Sequence, residues 1–289
     1  MSVFKTVTVL GTGVLGSQIA FQVASHGFPV QAYDINQEAL DQGSRRLDAL
    51  ADQYAAELGA EKLNAARDAV GRIHLTSDLG QAVADSDLVI EAVPENIRLK
   101  EQVYSRLAHL APERTVFATN SSTLLPSQFA AATGRPDRFL SLHFITHIWQ
   151  HNIAEIMGTA DTDPAVYREV VEFAGEIGMV PVELHKEQPG YVLNSLLIPM
   201  LHAATELLLD GVADPATIDT TWKIGTSAAV GPFEMIDRIG LRTAHAIATA
   251  MPDDRGTAFA RHLETEYLEK GKFGLESGEG FHTYGPAAA

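Results

Sequence analysis

The sequence predicts an α/β fold, a doubly wound parallel sheet followed by an all-helical C-terminal domain. Short β-branched runs alternate with helical periods through residue 184. Three glycines, Gly11, Gly13 and Gly16, follow the first of these runs at fixed spacing. After residues 185–190, a polar stretch ending in Pro189-Gly190, only helical periods remain.

Residues 7–10, 30–33, 88–93 and 116–119 read as strands, each bounded by Gly, Pro, Asp or Asn. Between them Leu40, Leu47, Leu50, Tyr54 and Leu58 recur at helical spacing, as do Leu99, Val103, Leu107 and Leu110. Such alternation builds a parallel sheet with helices on both faces. Two more strand-like runs cover 139–143 and 153–157. Asp163 as N-cap and Pro164 at the first helical position open a helix that Gly178 closes. Residues 179–184 form the last predicted strand. Helices are then expected at 191–210, 215–224, 232–250 and 255–270, followed by an irregular Gly-rich tail. The domain boundary falls near residue 187, giving domains over 1–187 and 188–289.

Composition narrows the function. The 289 residues carry 21 Lys and Arg against 37 Asp and Glu, a formal net charge of −16. Phosphate backbones and anionic membranes require clustered cations, so neither nucleic acid nor a membrane is an expected partner. With no cysteine there is no disulfide framework, thiolate nucleophile or Cys-ligated metal. The most apolar late stretch, 193–209, is interrupted by Asn194, Ser195, His202 and Glu206, so no membrane helix is expected. Lys5 and the apolar residues after it imitate a signal peptide, but the three glycines would break its helix. A cytoplasmic protein is expected.

The glycines form G-x-G-x-x-G in its full context: a strand before it, a helix with inner face Leu15, Ile19 and Val23 after it, and Asp34 ending the next strand. Gly11 permits a tight turn, Gly13 admits a pyrophosphate against the backbone, and Gly16 allows close helix–strand packing. The pyrophosphate then meets free N–H groups at the positive helix end. Asp34 would accept hydrogen bonds from a ribose and repel a 2′-phosphate. No Arg follows at Ile35 or Asn36, so the expected cofactor is NAD and the domain is Rossmann-type.

Hydride transfer from an alcohol needs a base for the hydroxyl proton. His143 ends one late strand run and Glu155 lies on the next. Each has a plainer reading, a satisfied polar group and a surface carboxylate. If 144–152 folds back, however, the two side chains pair and Glu155 orients the imidazole and stabilises its protonated form.

Over nearly its whole length the sequence resembles the L-3-hydroxyacyl-CoA dehydrogenases, including the 3-hydroxybutyryl-CoA enzymes. Similar stretches are 88–96 with Lys100, 119–124, 138–144, 154–156, 189–194, 231–237 and 278–281. The resemblance implies an NAD-binding domain, a helical domain carrying a homodimer contact, and a place in fatty acid metabolism. It implies His143 as catalytic base, Glu155 as its partner, and Ser122 and Asn194 as polar groups near the reacting oxygen and nicotinamide. Ser122 also reads as a helix cap, and Asn194 as an exposed polar residue. The cofactor positions are then Gly11, Gly13, Val14, Leu15, Gly16, Asp34, Ile35, Ala92, Glu95 and Lys100.

The sequence departs from the family at several points. The family continues its catalytic His with Phe-Asn-Pro, where Phe144-Ile145-Thr146-His147 stands here. Its CoA-contacting Ser and Lys fall at Leu50 and Glu57, and a cofactor-facing Lys of some relatives at Glu276. A carboxylate at 57 would repel a CoA phosphate. His143, His147 and His151 recur every four residues, but Ile145, Ile148 and Trp149 spoil a clean helical face. No metal is expected, and the segment reads as a selectivity element.

The expected function is NAD-dependent interconversion of 3-hydroxyacyl-CoA and 3-oxoacyl-CoA. The alternatives are the same chemistry on a free β-hydroxy acid or related small 3-hydroxy compound, and a non-catalytic, crystallin-like NAD-binding protein. A 6-phosphogluconate-type enzyme would need a catalytic Lys on the first C-terminal helix, which carries Asn194 instead.

Overall fold

The computed structural model describes residues 3–251 and 253–284. Contacts divide the chain into two units that meet between Val192 and Leu193.

In the first unit β1 (Val7–Leu10) leads to α1 (Val14–Ser25), then β2 (Val30–Tyr33). Helix α2 (Gln37–Leu58) starts where Asn36 accepts a hydrogen bond from the Ala39 N–H. Next come α3 (Leu63–Val70), β3 (Ile73–Thr76), α4 (Leu79–Val83) and β4 (Leu88–Glu91). Asn96 caps α5 (Ile97–Leu110) through the Leu99 N–H, and β5 (Val116–Thr119) follows. Strands β6 (Phe139–Phe144) and β7 (Ile153–Gly158) precede α6 (Pro164–Glu176), whose N-cap is Asp163 as the sequence indicates. The unit's last strand is β8 (Val180–Leu184).

The strand order is β3-β2-β1-β4-β5-β6-β7-β8. All pairs are parallel except β6–β7. A parallel return needs a crossover of a dozen or more residues, which 145–152 cannot supply, so the chain folds straight back. Strand β3 is absent from the sequence reading. It lies at the sheet edge, where Ile73, His74 and Leu75 are not buried, and so lacks an apolar run. Strand β4 stops at Glu91 rather than continuing to residue 93, just before Pro94.

Side-chain alternation sorts the core onto the two sheet faces. Val7, Val9, Leu88 and Ile90 join Phe21 and Phe173 on one side. Leu10, Val89 and Phe117 join Tyr104 and Phe139 on the other.

Helix α7 (Tyr191–Leu209) carries the chain into the second unit, followed by α8 (Pro215–Thr226) and α9 (Pro232–Ile239). Then come α10 (Leu241–Ala250) and α11 (Asp254–Glu266). The single helix expected over 232–250 is two helices. Gly240, at φ +92°, takes a conformation that breaks the helix. Likewise the helix expected to reach 270 ends at Glu266, and a separate 3₁₀ turn covers Leu268–Lys270. Helix α7 is long and apolar enough to cross a membrane by length and composition, at 19 residues and mean hydropathy 1.5. Core helices of soluble proteins meet the same criterion.

The core of this unit gathers Phe233, Ile236, Leu241, Phe259 and Leu263. Buried Asp237 holds the tail by accepting from the Phe281 and His282 N–H groups and the Tyr284 hydroxyl. Asp219 accepts the Phe233 and Glu234 N–H groups at the start of α9. His282 Nε2 lies 2.8 Å from its Oδ2.

Phe233 is fully buried and packs on Phe281 at 4.7 Å between ring centroids. Phe233→Ala should destabilise the fold by about 3–5 kcal/mol, read as a lower urea midpoint. The same change at exposed Leu275 should stay within about 0.5 kcal/mol.

Candidate active site

The strand order reverses between β1 and β4, and a cleft of about 250 Å³ opens beyond their carboxyl ends. Its walls come from the turn after β1 (Gly13, Val14, Leu15, Gly16), the turn after β4 (Ala92, Val93, Glu95), and Lys100, Asn120 and Ser122.

Each fingerprint glycine meets a distinct steric demand. Gly11 has φ +95°, and a Cβ there would lie 2.7 Å from the Ala92 carbonyl oxygen. A Cβ on Gly16 would fall 2.0 Å from the Gly11 oxygen, so β1 and α1 can pack this closely only without it. At Gly13 a Cβ would meet nothing within 4 Å, because this residue faces the open cleft. Gly13 is also the N-cap of α1 and offers no side chain. The first-turn N–H groups therefore keep their capacity for an anion.

Asp34, at the end of β2, accepts the Thr12 N–H and hydroxyl, both at 2.7 Å, on Oδ2 and the Ile35 N–H on Oδ1. Asp34 and Ile35 lie outside the cleft lining, and the Ile35 side chain is exposed.

A chain of charges underlies the cleft. Fully buried Glu91 accepts from Lys100 Nζ at 2.7 Å, Thr119 Oγ1 at 2.7 Å and the Val93 N–H at 2.9 Å. Lys100 Nζ also lies 3.4 Å from Glu95 Oε2. Its charge is thus shared between two carboxylates while its stem forms part of the cleft wall. Glu95 Oε1 accepts from the Ser121 and Thr123 hydroxyls and from the Thr123 and Leu124 N–H groups. Burial pushes the Glu95 carboxyl up. The Ser121 and Thr123 hydrogen bonds and the Lys100 charge outweigh that effect and hold it at about 2. Glu95 in this way ties down the turn that bears Ser122.

His143 and Glu155 are directly opposite in the β6–β7 register. Both are buried, and His143 Nδ1 lies 3.1 Å from Glu155 Oε2. With the proton on Nδ1 donated to the carboxylate, Nε2 is the acceptor. Ser122 Oγ lies 3.0 Å from Nε2. Glu155 Oε1 accepts the Val192 N–H at 2.9 Å. His143, Glu155 and Ser122 therefore converge in the first unit. Asn194 is half-buried on the first turn of α7, in the second unit.

Three participants are not among the site residues expected from the sequence. Gln18 of α1 accepts the His147 and Ile148 N–H groups, which seats the connector 145–152 on the helix that begins at the fingerprint. Nothing in the sequence pairs these residues before the fold exists. Glu91 was detectable as an acid ending an apolar strand, with Lys100 nine residues on. Tyr191, in Pro189-Gly190-Tyr191, stacks on the His143 ring at 4.4 Å.

Glu57, where the resemblance places a Lys, is committed to the connector. It accepts from Trp149 Nε1 and Gln150 Nε2, both at 2.7 Å, and from Gln53 Nε2 at 2.9 Å. His147 Nε2 is 3.5 Å away. Leu50 is a buried core residue, and Glu276 pairs with Arg242. The imidazoles of His143, His147 and His151 share no helix: His143 ends a strand and His147, at φ +63°, turns the chain.

The NAD binding domain of 3-hydroxyacyl-CoA dehydrogenase matches residues 6–188, and the C-terminal domain of the same enzymes matches residues 190–284. The chain belongs to the 3-hydroxyacyl-CoA dehydrogenase family. It is 33% identical to the mitochondrial hydroxyacyl-coenzyme A dehydrogenase of Homo sapiens, covering 98% of this chain and 92% of that one. A probable 3-hydroxybutyryl-CoA dehydrogenase of Bacillus subtilis is also 33% identical, over 97% of each. Among solved structures, a diketoreductase described for dual catalysis of dicarbonyl compounds superposes with a TM-score of 0.95. It is 57% identical, over 98% of this chain and 100% of that one. This family member is an NAD-dependent oxidoreductase, and its open Gly13 turn and uncapped α1 fit the dinucleotide.

The depressed Glu95 carboxyl fixes the sign of a pH effect. Relative to an ordinary value of 4.5, a carboxyl held at about 2 stabilises the fold fully above pH 4.5. That contribution disappears as pH falls toward 2. Glu95→Gln should flatten this acid limb, measured as thermal midpoint against pH, and an unchanged limb would show that Glu95 does not hold the turn.

Proposed function

We propose that this enzyme interconverts a 3-hydroxy and a 3-oxo compound with His143 as general base and acid. The observation that carries the proposal is the convergence of Glu155, His143 and Ser122 in one hydrogen-bonded line. In oxidation, His143 Nε2 takes the C3 hydroxyl proton and Glu155 stabilises the resulting imidazolium. In reduction, the same nitrogen returns the proton to the carbonyl oxygen. Bound NAD supplies the hydride acceptor and, when reduced, the hydride donor. Ser122 Oγ, beside Nε2, orients the substrate oxygen. The resemblance to the family implies Asn194 as a further polar group near that oxygen.

The substrate proposed is a small dicarbonyl compound without CoA. Support comes from Glu57, which offers a carboxylate where the family's CoA-binding Lys would stand and is tied to Trp149 and Gln150. The high identity to a diketoreductase points the same way. A second reading, 3-hydroxyacyl-CoA, has the support of both family domains and of the human and Bacillus relatives.

We further propose a cytoplasmic homodimer joined through the second unit. Its groove of about 830 Å³ between α7 and α8 is lined by Met200, Leu207, Ile218 and Trp222, and Leu196 and Ile224 are exposed. A second copy covering these side chains would remove a large apolar surface from water.

His143→Ala should lower kcat by about 10²–10⁴-fold, and retention of full turnover would overturn the proposed base. In NADH oxidation, an ethyl 3-oxo ester should exceed acetoacetyl-CoA in kcat/KM by at least about tenfold. The reverse order would establish the CoA reading.

A further inference from the structure

We propose that Tyr191 is a positioning residue for the His143 general base, clamping the imidazole against Glu155 and the Ser122 turn. The inference rests on the proposed role of His143. Tyr191 touches the constellation at two points, and its neighbour Val192 at a third. Its ring lies parallel to the His143 ring, with centroids 4.4 Å apart and planes 9° apart. Its hydroxyl donates to the Ser121 carbonyl at 2.7 Å, one residue before Ser122. The next N–H along the chain, that of Val192, donates to Glu155 Oε1. One residue and its neighbour thus hold the ring face, the turn bearing the hydroxyl, and the carboxylate.

The backbone at this point takes a strained conformation. Tyr191 has φ +53°, a left-handed conformation that is rare for a bulky side chain. Gly190, at φ +78°, precedes it in the same turn, and the ring lies against that of His143. A ring so placed blocks rotation of the imidazole out of line with Nε2 and Ser122. Its face also lies against the ring that becomes positive when His143 takes the proton, an attraction between cation and π system.

Tyr191 is not itself a proton donor in the reaction. Its side chain is buried, its hydroxyl is spent on Ser121, and burial holds that hydroxyl well above the ordinary tyrosine range. Its effect reaches the substrate only through His143 and Ser122.

The test is a set of four variants assayed with NADH and the better carbonyl substrate. Tyr191→Phe keeps the stacked ring and loses the Ser121 tether; Tyr191→Leu loses both. Tyr191→Leu should lower kcat by about 30-fold, the effect of a misoriented base, with substrate KM and NADH affinity within about twofold. Tyr191→Phe should recover most of that loss. In a His143→Ala background, Tyr191→Leu should produce no further decrease in the residual rate.

A wild-type kcat in Tyr191→Leu would overturn the inference, as would a loss that persists undiminished in the His143→Ala background. A loss appearing as raised KM with kcat unchanged would do the same. If Tyr191→Leu fails to fold, Tyr191→Phe decides, since it should lower kcat about threefold at constant KM and an unchanged kcat overturns the tether. Full activity in His143→Ala alone instead overturns the proposed base, so the two failures are distinguishable.

Discussion

The site depends on the register of one antiparallel strand pair. Every other neighbouring pair in the sheet is parallel, and parallel strands bring together residues far apart in the chain. The β6–β7 reversal instead places His143 opposite Glu155, with both side chains on the same face. A slip of one residue would send the carboxylate to the other face and leave a buried charge without its partner. The register is held at the end where the two strands are joined. Asn120 accepts the Phe144 N–H, and Gln18 accepts the N–H groups of His147 and Ile148 beyond the strand.

Around this pair the buried polar groups are linked rather than isolated. Buried Glu91, at the end of β4, and buried Lys100 lead to the more exposed Glu95, which grips the turn bearing Ser122, and Tyr191 reaches that turn through Ser121. Ser122 is therefore positioned by two routes, one ionic and one aromatic. In a low-dielectric interior a fully satisfied network of this kind is stiff, because breaking any link leaves an unpaired group at considerable cost.

Much of the fold was legible because its signals are local. The glycine fingerprint, the cap at Asp163, and the apolar strands β1, β2 and β5 depend on neighbours a few residues away. Strand β3 escaped because an edge strand half in water carries no apolar run. The break at Gly240 was hidden because glycine inside a helical period marks a break only when its backbone angle is known. The His143–Glu155 pair was foreseeable from the short connector between two strand-like runs. Gln18, Glu57 and Tyr191 act across separations that only the folded chain closes.

Glu57 gives the connector a consequence for how this family could change its substrate. The position where the resemblance puts a ligand-contacting lysine is here wired into the protein's own frame, with Trp149, Gln150 and Gln53 as donors to one carboxylate. Placing a lysine there would not simply return a cationic grip. It would strand three donors and set a positive charge beside His147. A change at position 57 alone would therefore not convert the site, because its three donors would have to change with it.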